Sequence, residues 1–175
     1  MEFPILETDR LVLREIIEDD AGDLFKNFSN KEIINYYGSE LMVSREEAFQ
    51  LIHSFRNNFL EKRGFRWGIQ IKGEKEVIGT IGFHAWSPKN KRAEIGYELH
   101  PDYWRKGFAM EAIKAVVDFG YSTMELNRIG AVVFLENRSS NELLKKMAFH
   151  KEGILRKYIV QNGLAYDVNS YSLLR

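Results

Sequence analysis

Hydrophobic and polar positions repeat along this chain with two different periods, and each period predicts one kind of element. The clearest helical spacing follows Gly107, where apolar or small residues recur at i, i+3, i+4, i+7, i+8 and i+11. That face consists of Ala109, Ala112, Ile113, Val116, Val117 and Gly120. Charged residues occupy the other side, so the spacing predicts an amphipathic helix packed on a core.

The same criterion divides the rest of the chain. Alternation or β-rich composition predicts strands over residues 11–14, 65–71, 77–84, 92–99, 128–134, 153–160 and 165–174. Capping patterns predict a short helix after Asp19 or Asp20, a helix from Ser44 with Glu47 in a capping box, and a helix over 137–146. The segment 27–42 fits either a half-buried helix or a loop, and Asn162-Gly163 predicts a closing hairpin.

This order of elements predicts the fold class. A strand, two helices, three strands, a helix, a strand, a helix and two strands follow one another without a repeat or a linker. We therefore expect one α/β domain over residues 1–175. Its sheet should be mixed and mostly antiparallel, with about seven strands flanked by about four helices.

Composition excludes several classes of function. The chain has 175 residues with 25 basic and 25 acidic side chains, and this balance argues against a nucleic-acid or anionic-membrane partner. It has no cysteine, which excludes disulfides, thiolate metal sites and a cysteine nucleophile. No signal peptide and no apolar run of ~20 residues is visible, so a soluble cytoplasmic protein is the expectation. His53 and His150 have no metal-ligand spacing, and no metal is predicted.

A glycine turn before the amphipathic helix is the first candidate site. The turn leads into unpaired backbone N–H groups at the positive end of the helix dipole, and Arg105 and Lys106 add charge there. A glycine before a helix is often only a turn. The motif is not a nucleoside-triphosphate loop, because no Gly-Lys-Ser or Gly-Lys-Thr closes it, and the three-glycine dinucleotide spacing is missing.

A second junction of the same kind lies downstream. Asn137 and Ser140 follow a predicted strand and open a helix. Helix capping explains Asn137 without any ligand. Ligands of open α/β sheets nevertheless bind beyond the carboxyl ends of strands, so the two junctions could form two walls of one cleft.

Together the two junctions resemble the cofactor motifs of the GNAT superfamily of N-acetyltransferases, and within it the RimJ/RimL type that acetylates ribosomal proteins. The family loop is Gln or Arg, two residues, Gly, one residue, then Gly or Ala, and here it is Trp104-Arg-Lys-Gly-Phe-Ala109. Trp104 replaces the first residue, as is typical of this branch. The second motif is matched by Asn137, Ser140, Leu144, Lys146 and Phe149, with Ala148 in place of glycine. The segment Thr8–Arg14 and the final hairpin extend the resemblance over nearly the whole chain.

The resemblance implies a fold with a cleft between two splayed central strands, and acetyl-CoA as donor with coenzyme A as product. The backbone amides of Arg105–Ala109 would hold the pyrophosphate, and the strand edge at Glu98–His100 would pair with the pantetheine arm. The implied cofactor-binding residues are Leu99, His100, Trp104, Arg105, Lys106, Gly107, Phe108, Ala109, Met110, Asn137 and Ser140. A homodimer is expected from the branch alone.

The implied chemistry is direct transfer from a thioester to a primary amine, since no cysteine can carry the acyl group. A backbone N–H near Leu99 would stabilise the oxyanion, and Ser140 would protonate the leaving sulfur. Glu94 and Glu98 share one strand face and are candidates for accepting the proton of the amine. Paired glutamates on such a strand are also commonly solvated or ion-paired.

The motifs leave the acceptor open. A peptide N-terminal α-amine, as on a ribosomal protein, starts at a pKa of ~7.7–8.0 and hardly needs a strong base, whereas a lysine starts near ~10.4. A small amine such as an amino acid, polyamine or drug is the main alternative. A non-catalytic acyl-CoA-binding domain is a second alternative, and the neutral net charge disfavours a third, a nucleic-acid-binding module.

Overall fold

The helices and strands follow the predicted order in the computed structural model, which describes residues 2–175. They are β1 (Leu6–Glu7), β2 (Leu11–Glu15), α1 (Ala21–Phe28), α2 (Lys31–Ile34), α3 (Arg45–Leu60), β3 (Phe65–Ile71), β4 (Val77–Ser87), β5 (Arg92–Leu99), α4 (Phe108–Ser122), β6 (Arg128–Phe134), α5 (Arg138–Lys146), β7 (His150–Gln161) and β8 (Leu164–Leu174). Short 3-10 turns at Glu18–Asp20 and Pro101–Tyr103 precede α1 and α4.

All of the strands join one mixed sheet in the order β1-β2-β3-β4-β5-β6-β8-β7. The β5–β6 pair is parallel, and the other neighbouring pairs are antiparallel. The helix α4 makes the crossover between the two parallel strands, because parallel neighbours cannot be joined by a tight turn. The predicted mixed, mostly antiparallel α/β fold is confirmed.

The structure differs from the sequence prediction in three details. Its sheet has eight strands, because the two-residue β1 pairs with β2, and α2 is an additional helix inside the segment left open. The prediction that Asp19 or Asp20 caps α1 is wrong for the side chain. The Asp20 side chain makes no capping hydrogen bond to α1, and its carboxylate instead accepts hydrogen bonds from Arg14 Nη1 at 2.8 Å and from the Ile17 N–H at 2.8 Å.

Two hydrophobic clusters cover the two faces of the sheet. The larger one packs α4 residues such as Ile113 and Val116 against Trp67 and Ile95. The second joins α1, α2 and α3 around Ile16 and Val77. Within residues 2–175, no helix is long and apolar enough to cross a membrane.

Successive strand residues point to opposite faces, and this fixes the directions of the β5 side chains. Ile95 and Leu99 belong to the cluster under α4. Glu98 therefore points to the other face, where Asn27 of α1 donates a hydrogen bond to it.

Candidate active site

The β5–β6 ladder ends early, and a cleft opens where the strands separate. Pairing is limited to three positions, the last of which joins Glu94 to Gly130. Beyond it the two strands diverge around a cavity of about 1090 Å³, which is lined by Gly96–Leu99 of β5 and by Ala131–Phe134 of β6. Within residues 2–175, β5 therefore has no ladder partner on its β6 side after Glu94, and a strand edge opens inside the sheet.

The first strand-to-helix junction closes one end of this cleft. Arg105 and Gly107 have positive φ angles of 59° and 81°, and Phe108 begins α4 directly after them. This left-handed geometry favours glycine at Gly107, and the N–H groups of the first turn of α4 lack partners within the helix. Arg105, Gly107 and Phe108 line the cleft, as do Ala109 and Met110. The predicted anion-binding turn Arg105–Ala109, called the anion cradle below, therefore faces the cavity.

Arg10 of the N-terminal region braces the cradle. Its Nη1 donates to the Lys106 carbonyl oxygen at 2.9 Å, and its Nε donates to Glu111 at 2.8 Å. The guanidinium also lies 4.3 Å from the centroid of the Phe108 ring. Because these contacts join the turn to the first turn of α4, Arg10 restrains the loop in its left-handed conformation.

The second junction forms the opposite wall. Asn137 is the N-cap of α5, and its side-chain oxygen accepts from the Ser140 N–H at 3.3 Å. The Ser140 hydroxyl lies 2.6 Å from the hydroxyl of Tyr97 on β5, and these residues line the cleft together. Capping thus accounts for the Asn137 oxygen, while Ser140 presents its hydroxyl to the cavity.

Four predicted cofactor residues lie at the end of β5 or in the turn that joins it to α4. Trp104 and Leu99 line the cleft, and the Trp104 indole N–H donates to the Leu99 carbonyl oxygen at 2.6 Å. His100 is buried outside the cavity lining, and its N–H donates to the Ile78 carbonyl oxygen at 2.8 Å. Lys106 also lies outside the lining, and its ammonium donates to the Asp102 carbonyl oxygen at 2.8 Å. Of these side chains, the structure places Trp104 and Leu99 in the cleft but neither His100 nor Lys106.

Glu98 is a buried carboxylate in the cleft wall, with only 6% of its surface exposed. Its Oε2 accepts from Asn27 Nδ2 at 3.3 Å, while Oε1 has no hydrogen-bond partner within residues 2–175. Burial raises the pKa of Glu98 to about 7, and the nearby charge of Arg66 opposes the rise. A carboxylate with this pKa exchanges protons near neutral pH, as a general base requires.

Arg66 organises the surroundings of Glu98. Its Nη1 donates to the Gly96 carbonyl oxygen at 3.0 Å, its Nη2 to the Tyr37 hydroxyl at 2.6 Å, and its Nε to the Thr80 hydroxyl at 2.9 Å. The guanidinium therefore ties β3, β4, β5 and the segment after α2 together at the end of the cleft nearest Glu98.

Glu94 is not brought into the same site. It lies at the last paired position of β5, outside the lining of the large cleft. Its carboxylate lies 3.3 Å from His84 Nε2, and hydrogen bonding to His84 lowers the pKa of Glu94. Glu94 therefore contacts His84, which lines the cleft, while its own side chain lies outside the lining.

Sequence reasoning missed Tyr97, Arg66 and Arg10 as site residues. Strand alternation shows that Tyr97 points away from the Glu98 face, but it does not reveal Ser140 as the partner. Arg10 lies in the Thr8–Arg14 segment, which supported the family resemblance without a stated role.

Within residues 2–175, no group of His, Cys, Asp and Glu side chains could hold a metal ion.

Comparisons with known proteins agree with this geometry. A model of the acetyltransferase (GNAT) domain family matches residues 10–150. The chain is 56% identical over 173 residues to YoaA of Bacillus subtilis, an uncharacterized N-acetyltransferase, covering 99% of this chain and 98% of that protein. It is 33% identical over 133 residues to the ribosomal-protein-serine acetyltransferase of Escherichia coli, covering 76% and 73%. A solved structure of RimL, a ribosomal α-N-protein acetyltransferase in complex with coenzyme A, is similar with a TM-score of 0.86 at 22% identity, covering 98% of each chain.

Proposed function

Because this chain belongs to the GNAT acetyltransferase family, we propose that it transfers an acetyl group from acetyl-CoA directly to a protein N-terminal α-amine of the ribosomal type. The observation that carries the proposal is the cleft through the sheet, with the Glu98 carboxylate on one face and the Ser140 hydroxyl on the other. Residues 1–175 then constitute one N-acetyltransferase domain.

The residues of the cleft fit acetyl-CoA. The unpaired edge of β5 offers N–H and C=O groups to an amide-bearing arm, and the start of α4 offers N–H groups to a pyrophosphate. Arg105 and Arg138 belong to the two junctions and Lys146 ends α5; all three line the cavity, where they supply positive charge for phosphates. When bound there, acetyl-CoA supplies the thioester whose acetyl group is transferred.

The two proton transfers of the reaction take place on opposite faces of β5. On the α1 face, Glu98 takes up the proton of the incoming ammonium through water, because its Oε1 is buried and has no hydrogen-bond partner in the described chain. On the α4 face, the Ser140 Oγ holds the proton that the leaving sulfur takes up. This separation lets an acceptor amine and a thiol approach the same carbon from opposite sides of the sheet.

Three observations support an N-terminal α-amine as acceptor. The ordinary pKa of such an amine, ~7.7–8.0, is close to that of Glu98, so proton transfer between them is nearly balanced. Glu32 and Glu136 add negative charge to the cleft lining, which attracts a cationic amine. The E. coli relative is named for acetylating a serine of a ribosomal protein.

The first test measures the two substrates separately. Titration with acetyl-CoA should quench the fluorescence of Trp104 in a saturable manner, because this half-exposed indole lies in the cleft. A mass-spectrometric acceptor screen should then show acetylation of peptides that begin with serine or alanine. Free amino acids and polyamines serve as competing acceptors. Acetylation of a small amine with every peptide refused would overturn the acceptor, and no quenching at millimolar acetyl-CoA would overturn the donor.

Replacing Arg10 tests whether its hydrogen bonds to Lys106 and Glu111 stabilise the anion cradle. We expect Arg10→Gln to raise the KM for acetyl-CoA roughly tenfold, since it loses hydrogen bonds that keep the loop in place. The kcat should change less than about threefold, because Arg10 does not line the reacting part of the cleft. Arg63→Gln is the matched control, because Arg63 pairs with Glu61 on the exposed surface. A fall in kcat at unchanged KM would contradict the assigned role.

A further inference from the structure

Tyr97 is a cleft residue whose hydroxyl contacts that of Ser140. The two oxygens lie 2.6 Å apart, and either atom can donate in this hydrogen bond. Within residues 2–175, the phenol has no other hydrogen-bond partner that the structure records, and the backbone N–H of Ser140 is already bonded to Asn137. Tyr97 therefore has a polar group aimed at the wall on which the leaving sulfur is protonated.

The chemistry of a serine hydroxyl calls for such a partner. A hydroxyl carries a single proton, so a serine that gives it up becomes an alkoxide unless another group replaces the proton at the same time. A phenol, with an ordinary pKa of ~10, is a far stronger acid than a serine hydroxyl, so it can supply the proton that Ser140 loses. Burial raises the pKa of Tyr97 to about 12, which keeps the phenol protonated at neutral pH.

We propose that Tyr97 is a positioning residue that donates its hydrogen bond to Ser140 Oγ and replaces the proton that Ser140 gives to the leaving sulfur. The inference rests on the proposed function. As the bond from the amine nitrogen to the acetyl carbon forms, the carbon–sulfur bond breaks and its electron pair stays on sulfur. Sulfur takes the Ser140 proton, Ser140 takes the Tyr97 proton, and water in the open cleft returns one to Tyr97. The ammonium loses two protons over the cycle, one before the attack and one as the amide forms, and each leaves through Glu98 to water. Sulfur gains one proton, so one proton is released per turnover and the charges balance.

The structure contains a tyrosine that serves as a control. Tyr171 donates to Asn141 Oδ1 at 2.7 Å, a bond of similar length, but it is buried and lies outside the large cleft. Asn169 also donates to the same Asn141 oxygen at 2.8 Å, so removing the Tyr171 hydroxyl leaves that acceptor bonded. Tyr171→Phe thus removes a structural hydroxyl, whereas Tyr97→Phe removes the proposed relay. The aromatic ring is kept in each variant.

The first experiment needs no acceptor. Because the protein has no cysteine, bound coenzyme A carries the only thiol in the sample, and its thiolate can be followed by ultraviolet difference absorbance against the same protein without coenzyme A. Hydroxyl donors aimed at sulfur stabilise the thiolate, so its pKa should lie below the ordinary ~8.5 in the wild type. Tyr97→Phe and Ser140→Ala should each raise this pKa, and Tyr171→Phe should not. A thiol that titrates alike in the wild type and Tyr97→Phe would overturn the inference.

The second experiment is a double-mutant cycle on turnover with acetyl-CoA and a serine-terminated peptide. Tyr97→Phe should lower kcat about 10–100-fold, with the KM for acetyl-CoA within about twofold. In the Ser140→Ala background it should have no further effect, because the relay passes through Ser140. Effects that multiply would show that Tyr97 acts independently of Ser140 and would overturn the relay. If the wild type acetylates no amine, the proposed function itself fails. If the wild type is active and Tyr97→Phe has the same kcat, only the inference about Tyr97 fails.

Discussion

Glu98→Gln is expected to lower kcat/KM by about 10²–10⁴-fold at pH 7, which is the range that positioned general bases contribute. The amide keeps the shape of the side chain and can still bond to Asn27, but it cannot take a proton from the acceptor. The KM for acetyl-CoA should hardly change, because the donor is proposed to bind on the other face of β5. Steady-state kinetics with acetyl-CoA and a serine-terminated peptide measure both constants.

The pH profile makes this test specific. Because Glu98 must be ionised to act as a base and its pKa is raised to about 7, wild-type kcat/KM should increase with pH and level off above this value. The residual activity of Glu98→Gln should lack that step. Glu94→Gln is the matched control, since Glu94 lies on the same strand face but its own side chain is outside the cleft lining, in contact with His84. Its kcat/KM should stay within about threefold of the wild type. A larger loss in Glu94→Gln than in Glu98→Gln would reverse the assignment.

Stability against pH separates lost chemistry from lost folding. The pKa of Glu98 is raised from 4.5 to about 7 in the folded protein, so folding favours the protonated form. The corresponding stability is fully present below pH 4.5 and is lost as the pH rises through about 7, by up to about 3 kcal/mol. Glu98→Gln has no charge to bury, and its Tm at pH 8 should equal or exceed that of the wild type. A lower Tm at pH 8 would instead attribute the lost activity to unfolding.

Gly82→Ala is expected to cause the largest loss of stability, about 3–5 kcal/mol. A Cβ at this position would lie 1.9 Å from the Phe65 carbonyl oxygen and 2.8 Å from the Arg66 Cα, and these are backbone atoms that cannot move aside cheaply. The β3–β4 pair would have to separate next to Arg66, so the cleft would lose the bond from Arg66 to the Gly96 carbonyl oxygen as well. Thermal unfolding should show a Tm lower by roughly 10 °C or more.

The control for this prediction is Gly22→Ala. A Cβ on Gly22 would meet only the tip of the Arg45 side chain, at 3.5 Å, and the residue lies in helix α1. Alanine is the better helix former, so this variant should gain up to ~1 kcal/mol. If Gly82→Ala unfolds at the same temperature as Gly22→Ala, the close approach of β3 to β4 does not constrain this position.

The elements that carry the site were largely predictable because their signals are local. The strands Arg92–Leu99 and Arg128–Phe134 have the predicted bounds, and the Asn162-Gly163 hairpin and the Asn137 cap form as expected. Periodicity, capping and turn chemistry depend on neighbouring residues, so one sequence is enough to read them. Asp20 shows the limit of this reasoning. Asp20 occupies the predicted N-cap position of α1, but its carboxylate accepts hydrogen bonds from Arg14 instead of capping the helix.

The sequence by itself determined the mixed α/β fold, the two strand-to-helix junctions and the family to which they belong. The tertiary structure alone decided which side chains meet: Arg10 with the Lys106 carbonyl, Tyr97 with Ser140, and Glu98 with Asn27. It also decided that Glu98 is buried in the cleft wall while Glu94 lies outside the lining, in contact with His84. The physical reason is the separation of β5 from β6 after Glu94, which depends on packing between segments far apart in the chain. Spacing along one strand makes Glu94 and Glu98 equivalent, and only the divergence of the neighbouring strand distinguishes them.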